Sequence, residues 1–127
     1  MKKLYVIIVV IVLILTFVYI LMYRDTDSLE IDFHNIVCNQ KNNNVNYGAL
    51  NRYDYAQHYN IKDVSGLKLR RNFVWHDFNR GCIYVQYSFN ISYNDSDVSP
   101  GAHKVHSKWY IEKQNGRWVV TDIDERP

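Results

Sequence analysis

The sequence predicts an α+β protein, with an N-terminal transmembrane helix followed by one or two helices packed on a curved four-stranded antiparallel sheet. Three observations support this class. Residues 4–23 form an uncharged apolar run, residues 27–40 carry apolar side chains at helical spacing, and from residue 67 onward apolar and polar residues alternate. A block of helices followed by a block of strands is typical of a sheet with helices on one face.

The apolar run at residues 4–23 is 20 residues long and contains no charge, glycine or proline. A helix of this length reaches about 30 Å, the thickness of the hydrocarbon core of a bilayer. A buried helix of a soluble protein would keep a polar face, and a cleaved signal peptide would have a shorter run before its cleavage site. The nearest such site, Thr26-x-Ser28, follows a run that is too long. We therefore expect residues 1–24 to be an anchor that contacts the lipid bilayer.

The charges that flank the run predict its orientation in the cell membrane. Lys2 and Lys3 precede it, and Arg24 follows with acidic residues close behind. The positive-inside tendency then favours a cytoplasmic N-terminus, with residues 25–127 as an extracytoplasmic domain. We expect a single-pass protein whose C-terminal domain lies outside the cell.

The composition of the domain limits its partners. Without Lys2, Lys3 and Arg24, the 15 basic residues fall to 12, against 13 acidic ones. A nearly neutral domain lacks the basic surface that nucleic-acid binding needs, so we expect no nucleic-acid partner. About 100 residues are enough for one hydrophobic core and too few for two.

The candidate metal and redox residues are few. Cys38 and Cys82 lie far apart and have no metal-type spacing. Outside the cytoplasm they could form a disulfide, and two isolated reduced thiols are the alternative. His103 and His106 have a spacing that would suit a metal on a helix, but the period of two around them places them on opposite faces of a strand. We therefore predict no metal site and no cofactor.

Two helical segments are expected after the anchor. Asp27 and Glu30 resemble a capping box at the start of the first. Its apolar stripe consists of Leu29, Phe33, Ile36 and Val37. Residues 47–59 show a weaker pattern of apolar residues at intervals of three, which indicates a short and irregular second helix.

Four antiparallel strands are expected to follow as a meander. Asn79-Arg80-Gly81 and Asn115-Gly116 indicate turns, and Asn94–Gly101 is predicted to be a loop because of its proline and its small polar residues. The first strand is expected to be long and bulged, with Leu67, Leu69, Phe73 and Trp75 on one face. The second is expected to bury Ile83, Val85, Tyr87, Phe89, Ile91 and Tyr93. Alternation in the third strand involves Val105, Ser107, Trp109 and Ile111, and the last strand contains Trp118, Val119, Val120 and Ile123.

The last hairpin carries a family resemblance. Its sequence is Lys108-Trp109-Tyr110-Ile111-Glu112-Lys113-Gln114-Asn115-Gly116-Arg117-Trp118-Val119-Val120-Thr121-Asp122-Ile123. With the leading helices, it resembles the nuclear-transport-factor-two-like (cystatin-like cone) superfamily in its small membrane-anchored bacterial form, over residues 27–125. The resemblance implies a cone-like domain. It also points to assembly subunits, because conjugation and type IV secretion systems use a single span followed by such a domain.

Three functions stay open at this stage. The first is a non-enzymatic domain that binds other cell-envelope proteins, or further copies of itself through the sheet. Its contact surfaces would be the exposed face of the last hairpin, the Asn94–Gly101 loop and the outer sheet edge. The second is a tethered cone that binds a small ligand. The third is a hydratase-like or isomerase-like enzyme, for which His76 and Asp77 are the only neighbouring imidazole and carboxylate.

No residue is predicted to be catalytic, because neighbouring side chains on a strand point to opposite faces. One set of residues is nevertheless predicted to line a pocket or an interface. Its members are Tyr87, Phe89, Trp109, Trp118, His76 and Asp77.

Overall fold

The computed structural model describes residues 1–55, 61–77, 79–93 and 98–126. Two α-helices and a 3₁₀ helix precede four strands, which confirms the α+β class. The elements are α1 (Lys2–Asp25), α2 (Asp27–Val37), the 3₁₀ helix (Gly48–Tyr53), β1 (Ile61–His76), β2 (Arg80–Tyr93), β3 (Val98–Gln114) and β4 (Arg117–Arg126).

α1 is an apolar helix that projects from the domain, and none of its residues is buried in the protein. Within the described part of the chain it belongs to the one helical stretch that is long and apolar enough to cross a membrane. The central hydroxyl of Thr16 donates to the carbonyl of Val12 at 2.8 Å, so it needs no partner outside the helix. A core helix would be mostly buried, so the exposure of α1 supports a membrane-anchoring role.

α2 buries the predicted stripe of Leu29, Phe33, Ile36 and Val37 against the sheet. It ends where Asn39 adopts a φ of 57°. The N–H of Asn39 then donates to Ile36 and that of Gln40 to Asn35, the pattern of a Schellman C-cap.

The prediction of a capping box at the start of α2 is wrong. The N-cap residue is Thr26, which forms no side-chain capping bond. The carboxylates of Asp27 and Glu30 instead face Arg71 of β1.

The second predicted helix is a short 3₁₀ helix in the structure. Tyr47, Leu50 and Tyr53 are all buried, because a helix with three residues per turn places every third side chain on the same side. The predicted helix continued to residue 59, and its last part lies outside the described residues.

The four strands form an open antiparallel sheet in the order β1-β2-β3-β4, which confirms the predicted meander. The turn between β3 and β4 has φ values of 53° at Asn115 and 77° at Gly116. Positive φ at both central residues is the signature of a type I′ hairpin turn, as the Asn-Gly pair predicts.

A β-bulge reverses the faces of β1. The register with β2 shifts between Arg71 and Phe73, and beyond the shift it is Val74 that is buried. Phe73 and Trp75 are 45% and 51% exposed, so their predicted place on the apolar face is wrong. One extra residue in a strand sends every later side chain to the opposite face.

β3 is longer than predicted. The loop prediction is wrong for residues 98–101, which belong to β3 and of which residues 98–100 pair with β2. Residues 94–97 lie outside the described residues. Pro100 lies opposite Asn90, beside a register shift, and the pairing of β3 with β4 ends at His106. This part of β3 is therefore an edge next to a bulge, where a strand tolerates proline.

Candidate functional site

Two groups of polar contacts join the helices to the sheet. The first, which we call the helix–sheet junction, lies where the end of α1 and the start of α2 meet β1 and β4. The second, the buried tyrosine network, lies between the 3₁₀ helix and the concave face of the sheet. Its members are Tyr53, Tyr87, Ser107, Trp109 and Glu125.

Arg71 is the centre of the helix–sheet junction, with a side chain only 5% exposed. Its Nη1 donates to the carbonyl oxygen of Tyr23 at 2.7 Å and to Oγ1 of Thr26 at 2.8 Å. Its Nη2 lies 2.5 Å from Asp27, and its Nε lies 3.2 Å from Glu30. The guanidinium also lies 4.0 Å from the ring centroid of Tyr23. These partners compensate the removal of the charge from water.

The position of Arg71 suits the dipole of α1, and its carboxylate partners suit the dipole of α2. Its cation lies at the C-terminus of α1, where the carbonyl of Tyr23 points outward. Asp27 and Glu30, in the first turn of α2, supply the opposing charges. Cations are stabilising at helix C-termini and anions at N-termini. One buried guanidinium therefore contacts the end of α1 and the start of α2 at the same time.

Further side chains of the sheet hold the last turn of α1. Nε2 of His76 lies 3.1 Å from the carbonyl oxygen of Met22. The indole N–H of Trp118 donates to Asp25 at 2.9 Å, and the rings of Trp118 and His76 lie 4.6 Å apart. β1 and β4 thus both contact the end of the apolar helix, so this helix meets the domain without a free linker.

α1 in turn covers part of the free edge of β1. The hydroxyl of Tyr23 donates to the carbonyl of Arg71 at 3.3 Å. The N–H of Val74 donates to the hydroxyl of Tyr19 at 3.3 Å, and that of His76 lies 3.4 Å from the sulfur of Met22. Unpaired groups on a sheet edge invite pairing with other chains, and these three are already bonded.

His76 and Asp77 have separate roles. Oδ1 of Asp77 accepts the backbone N–H of Asn79 at 2.7 Å and that of Arg80 at 2.8 Å. These bonds stabilise the turn before β2 and hold the pKa of the Asp77 carboxyl below its usual value. Nδ1 of His76 contacts the backbone carbonyl of Asp77, not its carboxylate.

The other residues predicted to line a pocket or an interface lie in the core. Tyr87, Phe89, Trp109 and Trp118 are each at most 3% exposed. The ring of Phe33, from α2, lies 5.3 Å from that of Tyr87 and 5.5 Å from that of Trp109. In the part of the chain that the structure describes, α2 therefore fills the concave face of the sheet with side chains.

The buried tyrosine network is a feature that the sequence analysis missed. Oε1 of Glu125 accepts the hydroxyl of Tyr53 at 2.9 Å and that of Tyr87 at 2.5 Å. The indole N–H of Trp109 donates to the hydroxyl of Tyr53 at 3.3 Å. The partners of Glu125 are 72 and 38 residues away in sequence, so no local pattern could indicate them.

Burial changes the acidity of both tyrosines. It raises the pKa of Tyr53 to about 12, partly offset by bonds from Ser107 and Trp109. Burial also raises the pKa of Tyr87, and the neighbouring Glu125 adds to that effect. In both cases the folded state retains a proton that the unfolded chain loses near pH 10.

We expect the protein to lose stability steeply above pH 10. Because the folded state binds more protons there, each retained proton lowers the free energy of unfolding by about 1.4 kcal/mol per pH unit. Urea unfolding of the full chain in detergent micelles between pH 8 and 12 would measure the slope. Tyr53→Phe removes one of the retained protons, so the slope of the free energy of unfolding against pH should fall by about 1.4 kcal/mol per pH unit. An identical slope in this variant would contradict the assignment.

The candidate disulfide is absent, because Cys38 and Cys82 are both free. Sγ of Cys38 lies 3.9 Å from Nε2 of His34 at the end of α2, and burial raises the pKa of this thiol. Cys82 lies in β2, opposite Trp75 and Tyr110. Among the described residues, no group of three or more metal-ligating side chains lies close together.

The fold and the junction define an α+β domain mounted directly on the end of an exposed apolar helix. Comparison of the chain with family models, curated proteins and solved structures found no match. The resemblance to the cone superfamily therefore stays a prediction.

Proposed function

We propose that the protein is a single-pass membrane protein whose extracytoplasmic domain is held at the bilayer surface in a fixed orientation and binds other cell-envelope proteins, as an assembly subunit. The observation that carries this proposal is the helix–sheet junction. A domain that only needed tethering could hang on a flexible linker, whereas Arg71 is buried at the point where the apolar helix ends.

The junction also supports an anchor that is retained in the mature protein. Removal of the apolar helix would take away Met22 and Tyr23, whose carbonyl groups contact His76 and Arg71. The nearest small-x-small sequence begins at Thr26, which is fully buried. A peptidase would therefore have to cut within the packed junction.

The orientation in the proposal follows the flanking charges. Lys2 and Lys3 precede α1, and a single Arg24 lies in its last turn. The positive-inside tendency places the N-terminus in the cytoplasm and the sheet outside the cell.

Protein binding is favoured over ligand binding by the filling of the concave face. A small-molecule site needs a cavity of about 300 Å³ or more. Phe33, Tyr53, Tyr87 and Trp109 pack against one another in that position. The surface we assign to protein partners, including a second copy of the chain, is the free edge of the sheet at β4, where Asp122 and Asp124 are exposed.

Cross-linking in intact cells followed by affinity purification of the full-length chain would test the proposal. We expect specific envelope proteins with the native chain, and their loss when Asp122 and Asp124 are both changed to arginine. Lys68→Glu, an exposed charge change on β1, is the matched control. Protease added outside the cells should remove a C-terminal tag. Recovery of no specific envelope protein, or a protected tag, would contradict the proposal.

A further inference from the structure

The outward face of the sheet carries a group of exposed aromatic side chains. Phe73 and Trp75 of β1, Tyr84 of β2 and Tyr110 of β3 are 45%, 51%, 44% and 38% exposed. Phe73 pairs with Tyr84, while Trp75 and Tyr110 lie on either side of Cys82. The four rings therefore occupy two adjacent rows of one face, and we call them the outer aromatic patch.

The exposed apolar surface of the domain is concentrated in this patch. In the described residues after α1, one other large apolar side chain is exposed, Ile31 of α2. Scattered apolar residues are normal on a protein surface, whereas a contiguous group indicates a contact with an apolar phase or a partner.

The patch begins beside the end of the apolar helix. The ring of Tyr19 in α1 lies 6.1 Å from that of Phe73, and its hydroxyl accepts the N–H of Val74. Tyr19 precedes the end of the apolar run at Tyr23 by four residues, or about 6 Å along a helix. If the run lies in lipid, Phe73 lies at the depth where lipid chains meet the headgroups.

A groove beside α1 indicates the same depth for the adjacent end of the sheet. An open groove of about 450 Å³ separates α1 from this end, and its lining includes Val18, Leu21, Asp77 and Lys113. Val18 lies one residue deeper in the apolar run than Tyr19. The turn after β1 and the end of β3 therefore also lie at the level of the apolar helix.

The chemistry of the patch suits the membrane–water interface. Tyrosine and tryptophan are enriched there because their rings are apolar and their polar groups reach water. Nζ of Lys108 lies 5.3 Å from the ring centroid of Tyr84 and 4.7 Å from that of Tyr110. Lys108 lies opposite Asp124 of β4, so a cation and a carboxylate both adjoin the rings, as charged groups do at the level of lipid headgroups.

We propose that the outer aromatic patch inserts into the interface of the same bilayer that α1 spans, with Lys108 at the phosphate level. The inference rests on the proposed anchor and extends it. The domain then contacts lipid through its sheet as well as through its helix. Because the outer aromatic patch begins beside the apolar helix α1, lipid is favoured over a second protein as the partner that covers the patch.

Quenching of tryptophan fluorescence in reconstituted vesicles tests the proposal. Trp75 is half exposed, while Trp109 and Trp118 are buried. The full-length chain in phosphatidylcholine–phosphatidylglycerol vesicles should be quenched by lipids brominated near the headgroup more strongly than by lipids brominated near the chain ends. Trp75→Phe should remove more than half of that quenching. Equal quenching in this variant, or none in the native chain, would overturn the proposal.

A photo-cross-linking amino acid at position 75 distinguishes the possible occupants in cells. Cross-links to lipid support the inference, and cross-links to a protein overturn it. Carbonate extraction of the same membranes tests the anchor separately. A chain that resists extraction but gives no lipid cross-link would refute the interfacial patch and leave the anchor intact.

Discussion

Replacement of Arg71 by alanine is expected to lower the free energy of unfolding by about 3 kcal/mol. The carbonyl of Tyr23 and the hydroxyl of Thr26 each lose a hydrogen bond from a charged donor, and such bonds contribute about 1.5–3 kcal/mol each. Asp27 and Glu30 add less, because they are 59% and 45% exposed and water can solvate them after the change.

Arg70→Ala is the matched control for the Arg71 substitution. Arg70 is the neighbouring residue on the same strand and its side chain is exposed, so its loss should change stability by about 0.5 kcal/mol or less. Urea unfolding of the full chain in detergent micelles, followed by the fluorescence of the buried tryptophans, measures both variants. Equal effects of the two substitutions would show that the buried cation does not hold the junction.

Replacement of Gly48 by alanine is expected to be at least as damaging, at about 3–4 kcal/mol. Gly48 has a φ of +59°, and an added Cβ would lie inside van der Waals contact with the carbonyl oxygen of Val120 and 2.6 Å from Cγ1 of Val119. The backbone conformation costs about 1–2 kcal/mol with a Cβ. Overpacking adds about 1–3 kcal/mol. The 3₁₀ helix would have to move away from β4.

Gly116→Ala separates the cost of the backbone conformation from the cost of overpacking. Gly116 also has a positive φ, of +77°, but an added Cβ would meet no atom within 4 Å. Its substitution should therefore show the backbone cost alone, at about 1–2 kcal/mol. If both glycine variants lost the same stability in the same unfolding experiment, the close approach of the 3₁₀ helix to β4 would not contribute to the destabilisation by Gly48→Ala.

The sequence predicts the parts of this fold that depend on local periodicity. The stripe of α2 and the alternation in β2 each place their side chains as expected, because burial of one face decides which residues can occupy it. The intervals of three around Leu50 are also a true signal. They are the period of a 3₁₀ helix, which is the short, irregular helix that the sequence analysis expected.

The helix–sheet junction could not be predicted in the same way. A bulge in β1 is expected from the sequence, but nothing local places it after Arg71, where it reverses the faces of the strand. Arg71 would be an ordinary surface residue if its partners, 44 to 48 residues earlier in the chain, were not there to receive it. Long-range pairing determines both this residue and the exposed patch that follows it.

The covered edge of β1 affects how copies of this protein can associate. Neighbouring chains in one bilayer would hold their sheets at the same height, which is the arrangement most prone to open-ended strand-to-strand polymerisation. Along the stretch from Arg71 to His76, side chains of α1 already bond to three backbone groups of the sheet edge. α1 thus protects this stretch of the edge from strand pairing with another copy of the chain.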